Sequence, residues 1–204
     1  VLDAGRGDGG TARYLADQFG CRVTTVDLTE EYCNTSRWLN ELVGLDGSIS
    51  VHHGDVTNLP FPSASFTVVT SQHVQMNVAD KARLYSEARR VLRPRGRLAL
   101  WDITAGAPGE LNFPLPWADR PALSYLDSGD SLRATIESAG LAVTHWTDMT
   151  EEAVTVMEIF LGAPPGPLGL HILVDNFVEK ANNLVRGLTN GRLRAVQAIA
   201  EARP

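Results

Sequence analysis

The first ten residues, VLDAGRGDGG, have the spacing of a ligand-binding turn between a strand and a helix. Gly5, Gly7 and Gly10 fit the pattern G-x-G-x-x-G, and Gly5, Gly7 and Gly9 equally fit G-x-G-x-G. Glycine after a first strand lets the backbone approach a ligand closely, and the N-terminus of the next helix favours a negative group. The two spacings imply different cofactors, so the glycine residues alone do not identify the chemistry.

Three carboxylates stand where predicted strands end. Asp3 lies two residues before Gly5, where an acid suits a ligand with an ammonium group and is unhelpful beside a pyrophosphate. Asp27 closes the second strand and is placed to accept from both hydroxyl groups of a ribose. Asp55 follows the third strand, where an exposed carboxylate can accept from the amino group of adenine. We expect all three to face one cleft at the carboxyl ends of the strands.

A further group of candidate residues follows the fourth predicted strand, in the segment SQHVQM at 71–76. His73 titrates near neutrality, so it can act as a base or orient an acceptor molecule. A hydrogen-bonded wall residue is the alternative interpretation of His73. Gln72 is expected on the side of the first ligand, and Met76 beside the acceptor.

A long segment rich in proline, glycine and aromatic residues, 101–125, follows the fifth predicted strand. Long ordered loops at strand ends usually form lids or binding loops. Trp101, Phe113 and Trp117 can wall an apolar acceptor, or face a cationic amine through their rings. Plain packing of these aromatic side chains is the alternative for each of them.

The hydrophobic pattern that must position these residues alternates strands and helices. The predicted strands cover 1–4, 22–26, 49–53, 66–70, 97–103 and 141–146, and the predicted helices cover 11–19, 30–43, 80–92, 151–161 and 170–188. The apolar strand 66–70 has the composition of a strand buried on both faces. In the second helix the larger apolar residues lie on one side: Tyr32, Leu39, Leu42 and Val43. Residues 191–200 fit either a last strand or a last helix, and the alternation predicts a largely parallel sheet with helices on both faces.

The composition predicts a globular protein and excludes several classes of function. The 204 residues include 24 acidic and 18 basic side chains, for a net charge of −6, whereas binding nucleic acid needs concentrated lysine and arginine. No stretch approaches the apolar length of a membrane span. Cys21 and Cys33 have no histidine or cysteine at ligand spacing, so no metal site is expected, and two cysteines suit a reducing cytoplasm.

Four segments in sequence resemble the class I S-adenosylmethionine-dependent methyltransferases. They are VLDAGRGDGG, VTTVDLT, GDVTNLPFPSASFTVV and EARRVLRPRGRLALWDI, in the expected order over residues 1–103. The segments GGTARYLA, LYSEARRVLRPRGRL and PLPWA are closer to the small-molecule type, and are similar to the quinone-biosynthesis C-methyltransferases and the sarcosine/dimethylglycine N-methyltransferases. The chain departs from the family pattern at Arg6, where a small residue is usual, and at Thr67, where aspartate is usual.

The resemblance implies an α/β fold with a Rossmann-like, doubly wound sheet of seven mostly parallel strands. The last strand would be antiparallel, which favours a strand at 191–200. It implies one domain over 1–204, with the cofactor-binding half at 1–103 and the substrate loop and C-terminal part at 104–204. Because the chain starts on its first strand, we also expect an N-terminal segment before Val1.

The resemblance further implies S-adenosylmethionine as cosubstrate, leaving as S-adenosylhomocysteine, with no metal. The cofactor would contact Asp3, Gly5, Gly7, Gly9, Asp27, Leu28, Asp55, Val56 and Gln72. In this arrangement Asp3 lies near the ammonium group, Leu28 packs beside the adenine, and Val56 supplies a backbone contact. The acceptor, a small molecule, would contact Met76, Trp101, Phe113 and Trp117.

Methyl transfer from a sulfonium is an in-line displacement in which the leaving group is already activated. The protein therefore mainly aligns the reactants, which is worth about 7–11 kcal/mol, and His73 is needed as a base only for a protonated acceptor. Two alternatives stay open from the residues. One is an NAD(P)-dependent oxidoreductase, and the other is a non-catalytic domain with a methyltransferase fold, which the departures at Arg6 and Thr67 favour.

Overall fold

The computed structural model describes residues 1–5, 7–164 and 174–203. The strands are β1 (Leu2–Ala4), β2 (Val23–Asp27), β3 (Ile49–His53), β4 (Phe66–Gln72), β5 (Leu92–Ala105), β6 (Leu141–Asp148) and β7 (Leu193–Ala202). The helices are α1 (Gly10–Phe19), α2 (Glu30–Leu42), α3 (Lys81–Val91), α4 (Gly129–Ser138), α5 (Thr150–Gly162) and α6 (Phe177–Thr189). Short 3-10 turns occur at Gln75–Asn77 and Pro121–Leu123.

The seven strands form one sheet in the order β3-β2-β1-β4-β5-β7-β6. Strands β1 to β5 pair in parallel, and β7 runs antiparallel to both of its neighbours, β5 and β6. The predicted Rossmann-like sheet with an antiparallel last strand is therefore confirmed, and 191–200 is mainly strand. The strand order reverses between β1 and β4, and ligands of doubly wound sheets bind in the crevice at such a reversal.

Apolar residues cover both faces of the sheet and attach the helices to it. Leu132 and Ile136 of α4 and Leu84 of α3 belong to the cluster on one face, together with Val26. A smaller cluster on the other face joins Ala12 and Ala16 of α1 to Val23 and Ile49. Because residues three apart on a strand point to opposite faces, Val23 and Val26 place α1 and α4 on opposite sides.

Three expectations about these elements differ from the structure. Strand β4 is not buried on both faces, because Val69 and Ser71 are buried on one face while Val68 and Thr70, on the other face, are only partly buried. Helix α4 was not predicted, although the Ser128 hydroxyl accepts from the N–H of Ser131 as an N-cap. The predicted helix at 170–188 begins at Phe177, and 165–173 lie outside the described residues.

A buried ion pair attaches the segment after β3 to α3. Glu87, only 3% exposed, accepts from the N–H of Leu59 at 2.8 Å and from Arg90 Nη2 at 2.7 Å. Arg90 donates in turn to the carbonyl groups of Leu59 and Phe61, at 2.9 and 2.7 Å. The hydrogen bond from Arg90 lowers the pKa of Glu87, against the opposing effect of burial. This network fixes the chain just beyond Asp55, one of the predicted site residues.

Replacing Glu87 should destabilise the protein in a pH-dependent way. We expect Glu87→Gln to lower the free energy of unfolding at pH 7 by about 1–3 kcal/mol, because buried partners lose a charged acceptor. The folded pKa lies below the ordinary value of 4.5, so the contribution is complete above that pH and is lost as pH falls through the folded pKa. Urea unfolding at pH 7 and pH 3 should show the gap from wild type closing in acid. Glu41→Gln, on the exposed side of α2, is the control, and a gap independent of pH contradicts the prediction.

Candidate functional site

The turn between β1 and α1 passes so close to its neighbours that side chains are excluded. A Cβ atom on Gly5 would lie 2.7 Å from Val74 Cγ2, and one on Gly9 would lie 2.4 Å from Ser36 Oγ. Gly9 also has φ +83, a conformation that glycine adopts without strain. Gly10 is already the first residue of α1, so the turn itself follows the G-x-G-x-G spacing.

An arginine of α1 holds this turn against α2. Arg13 Nη1 donates to the carbonyl oxygen of Asp8 at 2.6 Å and to Asn40 Oδ1 at 3.4 Å. The side of α2 that faces the turn consists of small or polar residues: Cys33, Ser36 and Asn40, all buried. Several of the larger apolar side chains of this segment therefore lie on the outside. Tyr32, Leu42 and Val43, the residue after α2, are exposed, whereas Leu39 is half-buried.

The sequence reasoning missed this supporting layer. A signal was present, because Cys33, Ser36 and Asn40 are spaced i, i+3 and i+7, which places them on one helix face. The Cys33 thiol lies near the carbonyl oxygens of Asp27 and His52, at 3.6 and 3.4 Å from Sγ. Burial raises the pKa of Cys33, so the thiol stays protonated as a donor at neutral pH.

Asp27 joins the glycine turn to the ends of β2 and β3. Its Oδ2 accepts from the N–H of Gly7 at 2.7 Å, and its Oδ1 accepts from the N–H of Thr29 at 2.9 Å. Its carbonyl oxygen accepts from the N–H of Gly54 at 2.9 Å. The next residue, Leu28, is 69% exposed and offers an apolar surface beside this carboxylate.

The other two predicted carboxylates differ in their access to solvent. Asp3 is completely enclosed, and its Oδ1 accepts from Thr70 Oγ1 at 2.8 Å. The expectation that Asp3 faces an open cleft is therefore not met. Asp55 is exposed, and its Oδ1 accepts from the N–H and hydroxyl of Thr57 at 2.7 and 2.8 Å. Val56 packs partly against the main core.

A cleft of about 410 Å³ lies beside the end of β4, along the middle of β5 and β7. It brings together three predicted site residues, Gln72, His73 and Trp101, with Thr70 and Gln197 among the other lining residues. The His73 ring contacts the Trp101 ring edge to face, with centroids 4.6 Å apart. The N–H of His73 donates to the carbonyl of Trp101 at 3.0 Å, so backbone and ring both fix the histidine. Gln72 Oε1 also accepts from Thr11 Oγ1, at 3.4 Å.

The remaining predicted acceptor residues lie outside this cleft. Met76 is 0% exposed and packs with Leu115 in a cluster under the long loop, so its predicted contact with an acceptor is replaced by packing. Phe113 lines a different cleft of about 460 Å³. Trp117 Nε1 donates to Ser124 Oγ at 2.9 Å, and its ring packs partly against the same cluster. Packing decides the position of these side chains more than sequence spacing indicated.

Across 1–5, 7–164 and 174–203, no group of three or more histidine, cysteine, aspartate or glutamate side chains is arranged to hold a metal ion. Within the same described residues, no helix is both long and apolar enough to cross a membrane.

Comparison with known proteins agrees with the fold and the turn. A methyltransferase domain family matches residues 2–100. The glycine/sarcosine/dimethylglycine N-methyltransferase of Actinopolyspora halophila is 34% identical over 151 residues, which cover 74% of this chain and 27% of that protein.

Two solved structures share the fold. The first, a candidate sarcosine dimethylglycine methyltransferase from Galdieria sulphuraria, is 22% identical with a TM-score of 0.82, over 99% of this chain and 77% of that one. The second, the geranyl diphosphate C-methyltransferase of Streptomyces coelicolor A3(2), is 19% identical with a TM-score of 0.80, over 98% of this chain and 69% of that one.

Residues 2–100 therefore match a methyltransferase domain, in agreement with the resemblance that the sequence indicated. The chain spans about a quarter of the length of the Actinopolyspora halophila relative.

The contact between Gly9 and α2 can be tested by a matched pair of variants. Gly9→Ala should weaken binding of S-adenosylhomocysteine by about tenfold or more, since the new Cβ displaces a turn that must be accurately placed. Gly20→Ala is the control, because Gly20 also has a positive φ, +62, but no atom lies within 4 Å of an added Cβ. Gly9→Ala should also lose more stability in thermal unfolding than Gly20→Ala, because only its added Cβ meets a neighbouring residue.

Calorimetric titration separates these effects. Adding Ser36→Ala to Gly9→Ala removes the oxygen at 2.4 Å and leaves the Ser36 Cβ at 3.5 Å, so affinity should partly recover. Equal affinities for the Gly9→Ala and Gly20→Ala variants would show that the close approach does not matter for binding.

Proposed function

We propose that this protein transfers a methyl group from S-adenosylmethionine to a small-molecule acceptor by in-line displacement, releasing S-adenosylhomocysteine. One observation carries the proposal. The glycine turn, Asp27 and Asp55 follow three adjacent strands, β1, β2 and β3, and the hydrogen bond from Gly7 to Asp27 ties the turn to the second of them. The names of the relatives support it, because the Actinopolyspora halophila protein methylates glycine derivatives and the Streptomyces coelicolor structure contains S-adenosylhomocysteine.

The residues of the turn and the strand ends fit this cofactor. The N–H groups of Gly7 and Thr29 orient the Asp27 carboxylate, and a carboxylate has enough lone pairs left to accept from ribose hydroxyl groups as well. Leu28 presents the exposed apolar surface that an adenine ring would cover. Asp55, held by Thr57, would accept from the adenine amino group, with Val56 providing the backbone contact. Gly5, Gly7 and Gly9 would leave room for the methionine part, and the enclosed Asp3 would favour its positive charge.

When bound, S-adenosylmethionine supplies a methyl group on a positively charged sulfur, so bond breaking needs little help from the protein. The main task of the chain is alignment in a site sheltered from water, which is worth about 7–11 kcal/mol. Gln72 would separate the cofactor side from the acceptor side of the His73 cleft. His73 would orient the acceptor or remove its proton, and Trp101 would wall the acceptor or face a cationic amine. The role of the other predicted acceptor residues would be to pack against one another and support this side of the cleft: Met76, Phe113 and Trp117.

We infer that residues 1–204 act as one domain, with the cofactor half at 1–103 and the acceptor half at 104–204. The net charge of −6 supports small molecules rather than nucleic acid as acceptors. Two cysteines, without a disulfide, support a reducing, cytoplasmic location. The proposed displacement needs no metal, since the leaving group is already activated.

Asp27 provides the direct test of cofactor binding. Asp27→Ala should weaken binding of S-adenosylhomocysteine by about 1–3 kcal/mol, the usual cost of losing charge-assisted hydrogen bonds. Asp17→Ala, exposed on α1, is the control and should bind like wild type. The measurement is isothermal titration with S-adenosylhomocysteine and, separately, with NADH. Micromolar binding of NADH without binding of S-adenosylhomocysteine would favour an oxidoreductase instead.

His73 provides the test of the acceptor side. A screen with methyl-labelled S-adenosylmethionine and a pool of small acceptors, sarcosine and dimethylglycine included, should identify a substrate. With that substrate, His73→Ala should lower turnover and flatten its dependence on pH between 6 and 9, because the group that titrates near neutrality is gone. His145→Ala, exposed on β6, is the control. An unaltered pH profile in the His73 variant would show that this residue only lines the cleft.

A further inference from the structure

A buried lysine contacts both loops that carry residues of the candidate acceptor site. Lys81, one of two lysines in the chain, is 6% exposed at the start of α3. Its Nζ donates to the carbonyl oxygen of Val78 at 3.0 Å and to the carbonyl oxygen of Tyr125. Lysine is seldom fully buried unless its charge is paired, so this placement needs a reason beyond filling space.

The two carbonyl groups belong to different loops. Val78 is in the β4 loop (residues 73–80), which begins with His73, and Tyr125 is in the β5 loop (residues 106–128). The N–H of Tyr125 also donates to the carbonyl of Met76 at 2.9 Å. One backbone hydrogen bond and one ammonium group therefore join the two loops at the same place.

Residues of the candidate site depend on both loops. In the β4 loop, Asn77 Nδ2 donates to the carbonyl of His73 at 3.2 Å. In the β5 loop, Ser124, next to Tyr125, accepts from Trp117 Nε1. A shift of either loop would move a proposed acceptor residue or the packing that supports it.

A buried carboxyl group also lies near the β4 loop. Asp102 follows Trp101 on β5 and is 0% exposed. Burial raises the pKa of Asp102 well above its ordinary value, and the nearby N–H groups of Gln75 and Val74 oppose this effect. Within the described part of the chain, neither Asp102 oxygen makes a hydrogen bond of ordinary geometry.

We propose that Lys81 is a positioning residue for methyl transfer, because its ammonium group fixes the β4 loop that carries His73 relative to the β5 loop. This proposal rests on the proposed function, in which the His73 cleft receives the acceptor. Lys81 does not touch the acceptor or the cofactor. It acts through the carbonyl groups of Val78 and Tyr125, and its loss should disturb the acceptor side while sparing the cofactor side.

The test compares Lys81→Met with Lys180→Met, which removes the only other lysine. Lys180 also contacts the β5 loop, through an ion pair of 2.8 Å with Asp119, but it lies on α6. Lys81→Met keeps the apolar stem and removes the donors. It should lower kcat for the acceptor found in the screen by about tenfold or more, since small misplacements of reacting groups are costly. Affinity for S-adenosylhomocysteine should stay at the wild-type value in both variants, and Lys180→Met should also keep wild-type kcat.

A spectroscopic measurement makes the test independent of turnover. Labelling with 5-fluorotryptophan gives one fluorine signal for each of the four tryptophans, and Trp101→Phe assigns the signal of the ring that contacts His73. This signal should follow the titration of His73 in wild type and in Lys180→Met, and should change position and pH response in Lys81→Met. If Lys81→Met does not fold, Lys81→Gln, which keeps two N–H donors on a shorter side chain, takes its place.

The possible results are distinct. An unchanged Trp101 signal with unchanged kcat overturns the proposal. A parallel loss of cofactor affinity and kcat also overturns it, because that pattern indicates general destabilisation. If the wild-type protein transfers no methyl group to any acceptor, the proposed function fails, while the Trp101 signal still decides whether Lys81 positions the β4 loop.

Discussion

The closeness of the glycine turn to its neighbours is the constraint on which the rest of the site depends. The turn backbone packs against Val74 and against Ser36. A Cβ atom added to Gly5 would overlap Val74, and one added to Gly9 would overlap Ser36. This contact leaves the turn only one path between β1 and α1. The N–H of Gly7 then meets the Asp27 carboxylate, and the polar groups at the ends of β1 and β2 are fixed relative to each other.

The same constraint connects the cofactor side to the acceptor side. Val74, against which Gly5 packs, is the residue after His73, so the glycine turn and the β4 loop locate each other. Beyond this contact the β4 loop is held by the buried ammonium group of Lys81, which reaches it from α3. Two contacts therefore position the β4 loop: the packing of Gly5 against Val74, and the hydrogen bond from the Lys81 ammonium group to Val78.

Much of the fold is predictable from the sequence because it depends on local patterns. The strands β1 to β5, the helices between them and the glycine turn follow from periodicity and spacing, and the resemblance adds that 191–200 is a strand. Helix α4 was not predicted, although its buried residues Leu132 and Ile136 have the i, i+4 spacing of one helix face.

The parts of the site that could not be predicted are those set by packing between distant segments. Met76 has the position of an acceptor contact along the chain, but Leu115, almost forty residues later, packs against it and encloses it. Asp3 stands at the right place for a cleft residue, but Thr70 of the neighbouring strand covers it. Lys81 and Asp102 look like surface and strand residues in the sequence, and only the meeting of the β4 and β5 loops buries them.

Helix α2 has its small and polar residues inside and several of its large apolar residues outside, the reverse of an ordinary amphipathic helix. Its inner face cannot grow, because Ser36 already touches the turn, whereas Trp38 is 59% exposed and Leu42 and Val43 are similarly open. Substitutions in this helix are therefore tolerated mainly on its outward side. Its exposed apolar residues can be replaced by polar ones, for solubility or for attaching a label, without changing the residues that pack against the glycine turn.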